Sequence, residues 1–572
     1  MKLVIQEYLS MLKESGEFDQ LLPDVLTAMG MTVISRAQAG AVQDGVDVAA
    51  VGKNKKGKES LYLFVIKRGD IGRTDWEGGP NAVMPTLNDV KNAYLHSRVS
   101  PEHQQLPKVI VLCTTGDLKQ TRSVAWAGYV KNNRKIGKID YELWNGATVA
   151  GLIEDYLLDE YAMPAESRAL LRKTLALVGE PEYDLGHFHE LLRAQLSLEE
   201  ELDPATAPTA KKPLIKGLNS ANLALQIVFR WAESEGSLRN AYLAAERSAL
   251  WGWEAIRRSG LAADQDAITA YTRILGTFGA IATAYFAKLR PYCLVRDALS
   301  VYSGESVIVT EQVFEQIGIL ACIGIMLLPN VPTEHPEGRV DPGRAVCQVM
   351  IELIKNNPVS SSPSYDEHMI EISMALLLMI YTQHDEAART WIDELVHGIY
   401  KAARVGRGLP ICSDSFEDQV DIAINGIGER MDKLQECSTL LPALAQWAAL
   451  LQATESYDSL VRGQESGKMM EKVCFQLWYP DQDTGRFLYH EAAHRESGTT
   501  EAPISLPESM DEFRSRVGQL KATGYTLPIE ALGWGAGDPR GIDLMAARHF
   551  RTPVNPDHWQ RYLVKQIVET AI

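Results

Sequence analysis

The residues best suited to chemistry lie in two short runs near the N-terminus. The first is Gln43-Asp44-Gly45-Val46-Asp47-Val48-Ala49-Ala50, and the second is Leu61-Tyr62-Leu63-Phe64-Val65-Ile66-Lys67. Both runs read as strands, and the lysine-rich segment 53–60 joins them as a hairpin. Asp47 then sits on one strand and Lys67 ends the next, at the same end of the sheet. Adjacent strands lie about 4.8 Å apart, so two such side chains can converge. A carboxylate there can hold Mg²⁺, and a nearby lysine can orient or deprotonate a water, a pairing suited to phosphodiester hydrolysis. The same spacing also fits a strand-edge acid and a solvated lysine with no shared role.

Further runs extend the pattern. A helix carries Phe18-Asp19, and a Gly-bounded turn, Met29-Gly30-Met31-Thr32-Val33, leads into a strand. Gly45-Val46-Asp47 follows, then the apolar strand ending in Lys67. A later strand, Lys108-Val109-Ile110-Val111-Leu112-Cys113-Thr114-Thr115-Gly116, ends in Thr-Thr, and Tyr141-Glu142-Leu143-Trp144-Asn145-Gly146 closes the set. From Glu17 to about Tyr161 the chain resembles the Mrr-like branch of the PD-(D/E)XK restriction-endonuclease superfamily. The resemblance implies an α/β nuclease fold, Mg²⁺ or Mn²⁺ as cofactor, DNA as substrate, Asp47 as metal ligand and Lys67 as the residue that positions the attacking water. The family's Glu or Gln two residues before the lysine is Val65 here. The resemblance implies that Asp19, on the first helix, or Asp70, just past Lys67, takes its place, or that the domain keeps the fold without hydrolysis.

Other motifs compete. His490-Glu491-Ala492-Ala493-His494 is a literal HExxH, which on a helix would turn both imidazoles to one zinc and make this a zinc peptidase. Arg495, Glu496 and the loop-like approach Asp481-Gln482-Asp483-Thr484-Gly485-Arg486 argue that these histidines do not jointly bind zinc. Gly52-Lys53-Asn54-Lys55-Lys56-Gly57-Lys58-Glu59 has phosphate-loop spacing, but Glu59 replaces the Ser/Thr, and it lies between strands. Its lysines suit contact with a phosphate backbone, or simply a solvated turn. Gly533-Trp534-Gly535-Ala536-Gly537-Asp538 lacks the third glycine of a dinucleotide loop and reads as a connector. The tryptophans Trp231, Trp251, Trp253, Trp391, Trp447, Trp478, Trp534 and Trp559 fit helix-packing cores better than base stacking. His187 and His189 lack companions and receive no role.

The elements that would position the first site alternate. Phe18, Leu21, Leu22, Val25, Leu26 and Met29 form one helical face that Gly30 ends. Strands are predicted at Thr32–Ser35, Val46–Val51, Leu61–Lys67, Val109–Cys113 and Ile139–Trp144. Helices are predicted around Leu87–Tyr94, at Thr121–Asn132 and at Val149–Leu157. This is a mixed α/β domain over residues 1–160. Residues 161–214 read as a helical connector ending in a charged, Pro/Ala/Thr-rich linker at 199–214. Residues 215–572 carry long apolar stripes with almost no strand alternation, so an all-α solenoid or bundle is expected there. No fixed repeat period is found. Trp478–Leu506 reads as irregular, with the run Pro480-Asp481-Gln482-Asp483-Thr484-Gly485 followed by a possible hairpin.

Composition sets the bounds. The chain has 572 residues, 46% of them hydrophobic and 23% charged, which excludes disordered, collagen-like and disulfide-scaffold classes. At ~150 residues per domain, two to four domains are expected. The seven cysteines are scattered with no CxxC pair, so reduced thiols packed as small apolar residues are expected. The net charge is −17, yet residues 1–150 hold 19 Lys/Arg against 16 Asp/Glu, and the remainder carries −20. One end can meet a polyanion, while the other would repel it or simply be a soluble helical surface. Glu7 interrupts the N-terminal apolar run, and the apolar stretches Ile274–Ala287 and Ile317–Leu328 fall short of a membrane span of about 20 residues. A cytoplasmic protein without membrane contact is therefore expected. A nuclease-like domain joined to an acidic helical domain also resembles prokaryotic antiviral defence effectors. That analogy implies that the helical part senses, binds a protein partner or self-associates, and holds the nuclease in check. The competing expectation is a catalytically degenerate scaffold or adaptor.

Overall fold

The computed structural model describes residues 2–35, 44–79, 81–157, 164–198, 207–300, 306–328, 341–405, 409–413, 415–425, 431–465, 473–481, 484–485, 488–489, 498–522 and 541–560. The N-terminal region is built on one five-stranded mixed sheet whose spatial order is its sequence order. Its strands are β1 (Thr32–Ser35), β2 (Val48–Lys53), β3 (Glu59–Lys67), β4 (Lys108–Thr114) and β5 (Ile139–Trp144). The pairs β1–β2 and β2–β3 are antiparallel, and β3–β4 and β4–β5 are parallel. The hairpin needs only a tight turn, whereas each parallel step needs a crossover, supplied by helices at Val83–Asp89 and Gln120–Asn133.

All five predicted strands and the order of elements are present, with ends displaced by a residue or two. β3 is apolar on both faces because both are covered. Leu61, Leu63 and Val65 enter a core with Trp76, Val83, Leu87, Val90, Ile110 and Leu112. On the other face Phe64 meets the edge of Trp144 at 5.2 Å between ring centres.

Two compact units divide the chain, Met1–Ala244 with Asp266–Thr277, and Ala245–Gln265 with Phe278–Ile572. Two sequence-based boundaries therefore move. Residues 207–214 of the expected linker belong to the helix Ala207–Glu235, which carries Pro213 within it. That helix packs against helices Ala165–Leu177 and Gly186–Leu196 and against Lys2–Met11, so the connector belongs to the first unit. Pro213 and the charged run resemble a spacer, but the continuing apolar face, buried at Leu214 and Leu218, keeps the segment helical.

The second unit is dominated by helices, as expected. Helix Ser306–Met326 packs against Pro342–Asn356, Met369–Tyr381 and Ile542–Phe550. Its segment Val307–Met326 is long and apolar enough to cross a membrane by length and composition, beyond the shorter run expected, and 78% of the window that passes is buried in this unit. Among the described residues, strands occur here only as two small pairs. These are β6 (Cys437–Ser438) with β7 (Cys474–Phe475), and β8 (Leu477–Tyr479) with β9 (Thr499–Glu501). The second pair joins a strand ahead of the run 480–485 to one well after it, so it is not the hairpin expected to follow that run. Trp251, Trp253, Trp391, Trp447 and Trp559 are wholly buried, which makes them packing residues. Trp534 lies outside the described residues.

A buried ion pair ties this core together. Arg548, 6% exposed, donates through Nε to Glu246 Oε1 at 3.2 Å and through Nη2 to the other carboxylate oxygen. Glu246 is 0% exposed. His549 Nδ1 bonds the same carboxylate at 3.0 Å, while Arg247 Nε–H donates to His549 Nε2 at 2.8 Å. Burial holds this imidazole down to about 4, so it is neutral at pH 7 and can accept that bond. Removing one partner of a buried pair leaves an uncompensated charge. Arg548→Met is expected to cost about 3–5 kcal/mol, read as a lower urea midpoint of the full chain, and replacing Glu246 by Met as well should recover most of the loss.

Candidate functional site

The expected residues do come together at one end of the sheet. Gly45 has φ +85°, and a Cβ there would lie 2.7 Å from the Thr86 carbonyl oxygen. Only glycine fits such a turn without strain, and it delivers the chain into β2 at Asp47. The Asp47 N–H donates to the Phe64 carbonyl at 2.9 Å, one step beyond the β2–β3 register. Its side chain turns to the same strand, and the Ile66 N–H donates to Asp47 Oδ2 at 2.7 Å. The carboxylate is thus fixed beside the end of β3, where Lys67 follows.

Two more acids enter from the first helical layer. A π-helical turn, Glu14–Phe18, precedes the helix Asp19–Ala28. Glu14 Oε1 lies 3.7 Å from Lys67 Nζ. Asp19 opens the helix, and its Oδ1 is buried with no hydrogen-bond partner. Desolvation pushes the Asp47 carboxyl up to about 6, aided by the negative charges of Glu14 and Asp19 and opposed by the Ile66 bond and the Lys67 ammonium. Asp47, Lys67 and Asp19 are therefore neighbours. Glu14 is a fourth member that the sequence reading missed. It precedes the Phe18–Met29 periodicity, and its only signal is an acid one turn ahead of that helix.

The segment after Lys67 is clamped from β4. Thr114 Oγ1 donates to the Gly69 carbonyl at 2.6 Å, and the Gly69 N–H donates to Thr115 Oγ1 at 2.9 Å. A Cβ at Gly116 would lie 2.3 Å from the Gly69 carbonyl carbon, and one at Gly146 would lie 2.3 Å from the Thr115 carbonyl oxygen. The Thr-Thr-Gly run thus holds the loop that follows Lys67. Asp70 belongs to this clamp, because its Oδ1 accepts from the Asp117 N–H at 2.9 Å. Asp19, by contrast, is among the charges that act on Asp47. Val65 is wholly buried in the apolar core, so the position where the resembled family carries an acid serves packing here.

Other candidates separate from this site. The lysine turn after β2 lies at the far end of the β2–β3 hairpin. Asn54 organises it, accepting from the Lys56 and Lys58 amides at 2.9 and 3.1 Å, and Lys55 pairs with Glu142 at 3.2 Å. His187 Nδ1 bonds the Tyr183 hydroxyl at 3.2 Å. His490, His494 and the segment 533–538 lie outside the described residues.

The donor set suits a hard cation. Mg²⁺ is commonly bound by one or two carboxylates together with substrate phosphate and water, which Asp47 and Asp19 can match. The orphaned Asp19 oxygen is the observation in favour of this. Among the described residues no group of three or more His, Cys, Asp or Glu side chains is set to hold a metal ion by itself. Comparison of the chain with protein-family models, curated proteins and solved structures returns no match.

Holding Asp47 ionised in this place opposes folding. Its native value is above the unfolded one, so the native state binds the extra proton between roughly pH 4 and 6, and stability falls as pH rises through that window. Asp47→Asn keeps an acceptor for Ile66 and removes the charge. It is expected to stabilise the protein by about 1–3 kcal/mol at pH 7.5, with the gain fading toward pH 4, as read by thermal unfolding across that range.

Proposed function

We propose that the chain is a metal-dependent endonuclease acting on DNA, with its active site at Glu14, Asp19, Asp47 and Lys67 and its N-terminal domain of the restriction-endonuclease-like class. The observation that carries the reading is the convergence of Glu14, Asp19 and Lys67 around Asp47 at one end of a mixed sheet. Isolated acids at strand ends are placed in solvent. Here an acid pushed up to about 6 is kept in a poorly solvated position, as expected where charge serves chemistry and not stability.

In this reading Asp47 and Asp19 hold Mg²⁺ or Mn²⁺. A bound divalent cation polarises the scissile phosphate and lowers the pKa of an attached water. The side chains do the rest. Asp47 must be ionised to hold the cation, and proton and cation compete for it, so activity at limiting metal rises with pH. The Ile66 amide aims one Asp47 oxygen and leaves the other for a ligand. Lys67, held by Glu14, supplies positive charge for a phosphate oxygen and orients the attacking water. The Thr114–Gly116 clamp keeps the lysine's strand end in place. The excess of basic residues in 51–150, 16 against 9 acidic, favours a polyanionic substrate. A separate acidic helical unit fits a regulatory or assembly role, and by that architecture a defence effector of the cytoplasm.

A second reading is a nuclease-like domain without hydrolysis, serving as a scaffold subunit. Val65 in the core favours it.

Plasmid incubation with and without Mn²⁺ separates the two. The first reading expects metal-dependent nicking or linearisation. Losing a charged partner of the transition state costs several kcal/mol, so Asp47→Ala, Lys67→Ala and Asp19→Ala should each slow cleavage by about 10²-fold or more. Asp70→Asn should be mild. Unchanged cleavage in Lys67→Ala would remove this site, and inert unmutated protein would favour the scaffold.

A further inference from the structure

The seven cysteines divide into two groups once the chain is folded. Cys113, Cys293, Cys322 and Cys347 are buried, whereas Cys412 is exposed and Cys437 and Cys474 are partly so. The three accessible ones are far apart in sequence and meet in space. Cys437 and Cys474 are direct register partners on the parallel pair β6–β7. Paired strands place such Cα atoms about 4.8 Å apart, within the range a disulfide spans. Cys412 lies against the same place. Its N–H donates to the Leu434 carbonyl at 2.7 Å and its Sγ–H to the Lys433 carbonyl at 3.6 Å, four residues ahead of Cys437, whose thiol acts on that of Cys412.

We propose that Cys412, Cys437 and Cys474 form a thiol-oxidation site, in which a hydroperoxide oxidises Cys412 and Cys437 closes a Cys412–Cys437 disulfide. Three features assign the roles. Cys412 is the exposed member, so it meets the oxidant. The hydrogen bond from Cys437 favours the Cys412 thiolate, drawing it down to about 6. Cys437 correspondingly stays a thiol, pushed up by that bond, by burial and by the neighbouring sulfurs and Asp366. A low-pKa exposed thiolate beside a second thiol is the arrangement of a redox-sensing cysteine.

The chemistry balances with the hydroperoxide as sole oxidant. Cys412 Sγ⁻ attacks the terminal peroxide oxygen and the O–O bond breaks. The alkoxide takes a proton and leaves as the alcohol, or as water from hydrogen peroxide, and Cys412 becomes a sulfenic acid. Cys437 Sγ then attacks the Cys412 sulfur. The S–S bond forms, the S–O bond breaks, and hydroxide leaves as water with the Cys437 proton. Two electrons pass from the sulfurs to the peroxide oxygens.

The location makes the bridge consequential. Ile411 pairs with Tyr365, and the Asp366 N–H donates to the Ile411 carbonyl at 2.8 Å. The Asp366 carboxylate accepts from the Ser438 and Thr439 hydroxyls and from the Thr439 and Leu440 amides at the start of helix Leu440–Leu451. A Cys412–Cys437 bond would fasten both sides of this capped junction covalently.

The test uses the full chain. Protein is treated with a small excess of hydrogen peroxide, alkylated with iodoacetamide, digested and analysed by mass spectrometry. The expected product is a Cys412–Cys437 linked peptide pair that dithiothreitol reverses. Cys437→Ser should instead leave a dimedone-reactive sulfenic acid at Cys412, and Cys322→Ser should behave as the unmutated protein. In untreated protein, iodoacetamide labelling of Cys412 should reach half its maximum near pH 6 and move toward roughly 8.5 in Cys437→Ala, which removes the donor. The pH midpoint is the sensitive reading, because a lower thiol pKa also lowers intrinsic nucleophilicity and compresses rate differences at pH 7. A bridge that persists in Cys412→Ser, a Cys437–Cys474 bridge in place of the expected one, or a Cys412 midpoint at the ordinary thiol value would overturn the proposal.

Discussion

The first unit turns on a carboxylate kept where water solvates it poorly. Asp47 faces the end of β3, receives one backbone hydrogen bond, and has Glu14 and Asp19 for neighbours. Like charges at short range in a partly dry site oppose ionisation, and the Lys67 ammonium offsets only part of that. A fold selected for stability alone would place asparagine or an apolar residue there. The surrounding elements read as what this concentration of charge requires: a glycine turn to bring Asp47 in, a π-helical turn to bring Glu14, and a clamp to hold the lysine end.

That clamp shows how small residues determine a polar site. Gly116 and Gly146 have no room for a side chain because the loops after β3, β4 and β5 touch through their backbones. Thr114 and Thr115 add hydroxyls of the right length to bond Gly69 in both directions. Thr114 stands beside Lys67 as its register partner on β4. Together the four set the height at which β3 ends and the loop leaves, and therefore where the ammonium stands. Positioning by backbone contact is stiff, since close-packed groups resist small displacements.

The second unit handles charge differently. Glu246, Arg548 and His549 are buried among apolar helices, with the carboxylate receiving both a guanidinium and a neutral imidazole. Glu371 is likewise buried and paired with Arg551, which holds its carboxyl down to about 2 despite the desolvation. Such pairs contribute less to net stability than their short contacts suggest, because desolvating both partners is costly. They pin Glu246 and Glu371 to the helix Ile542–Phe550 and to the residue after it, Arg551.

Periodicity alone located all five strands of the N-terminal sheet, since period-2 and 3.6-residue patterns are local properties of the chain. It also placed Asp47 and Lys67 at one sheet end, because a hairpin fixes which ends are adjacent. The helical character of residues 215–572 and the packing role of most tryptophans were equally legible. Three features depended on tertiary structure. Glu14 joined the site only because a π-helical turn swings it toward Lys67, and such a turn leaves no periodic trace. The helix Ala207–Glu235 absorbed half of an expected linker, because partners for its apolar face lie far away in sequence. Cys412, Cys437 and Cys474 became neighbours through β6, β7 and the segment at 409–413, although nothing in their spacing marks them as a set. Local patterns encode which elements form. The meeting of side chains from distant elements is decided by how those elements pack, and packing depends on every contact at once.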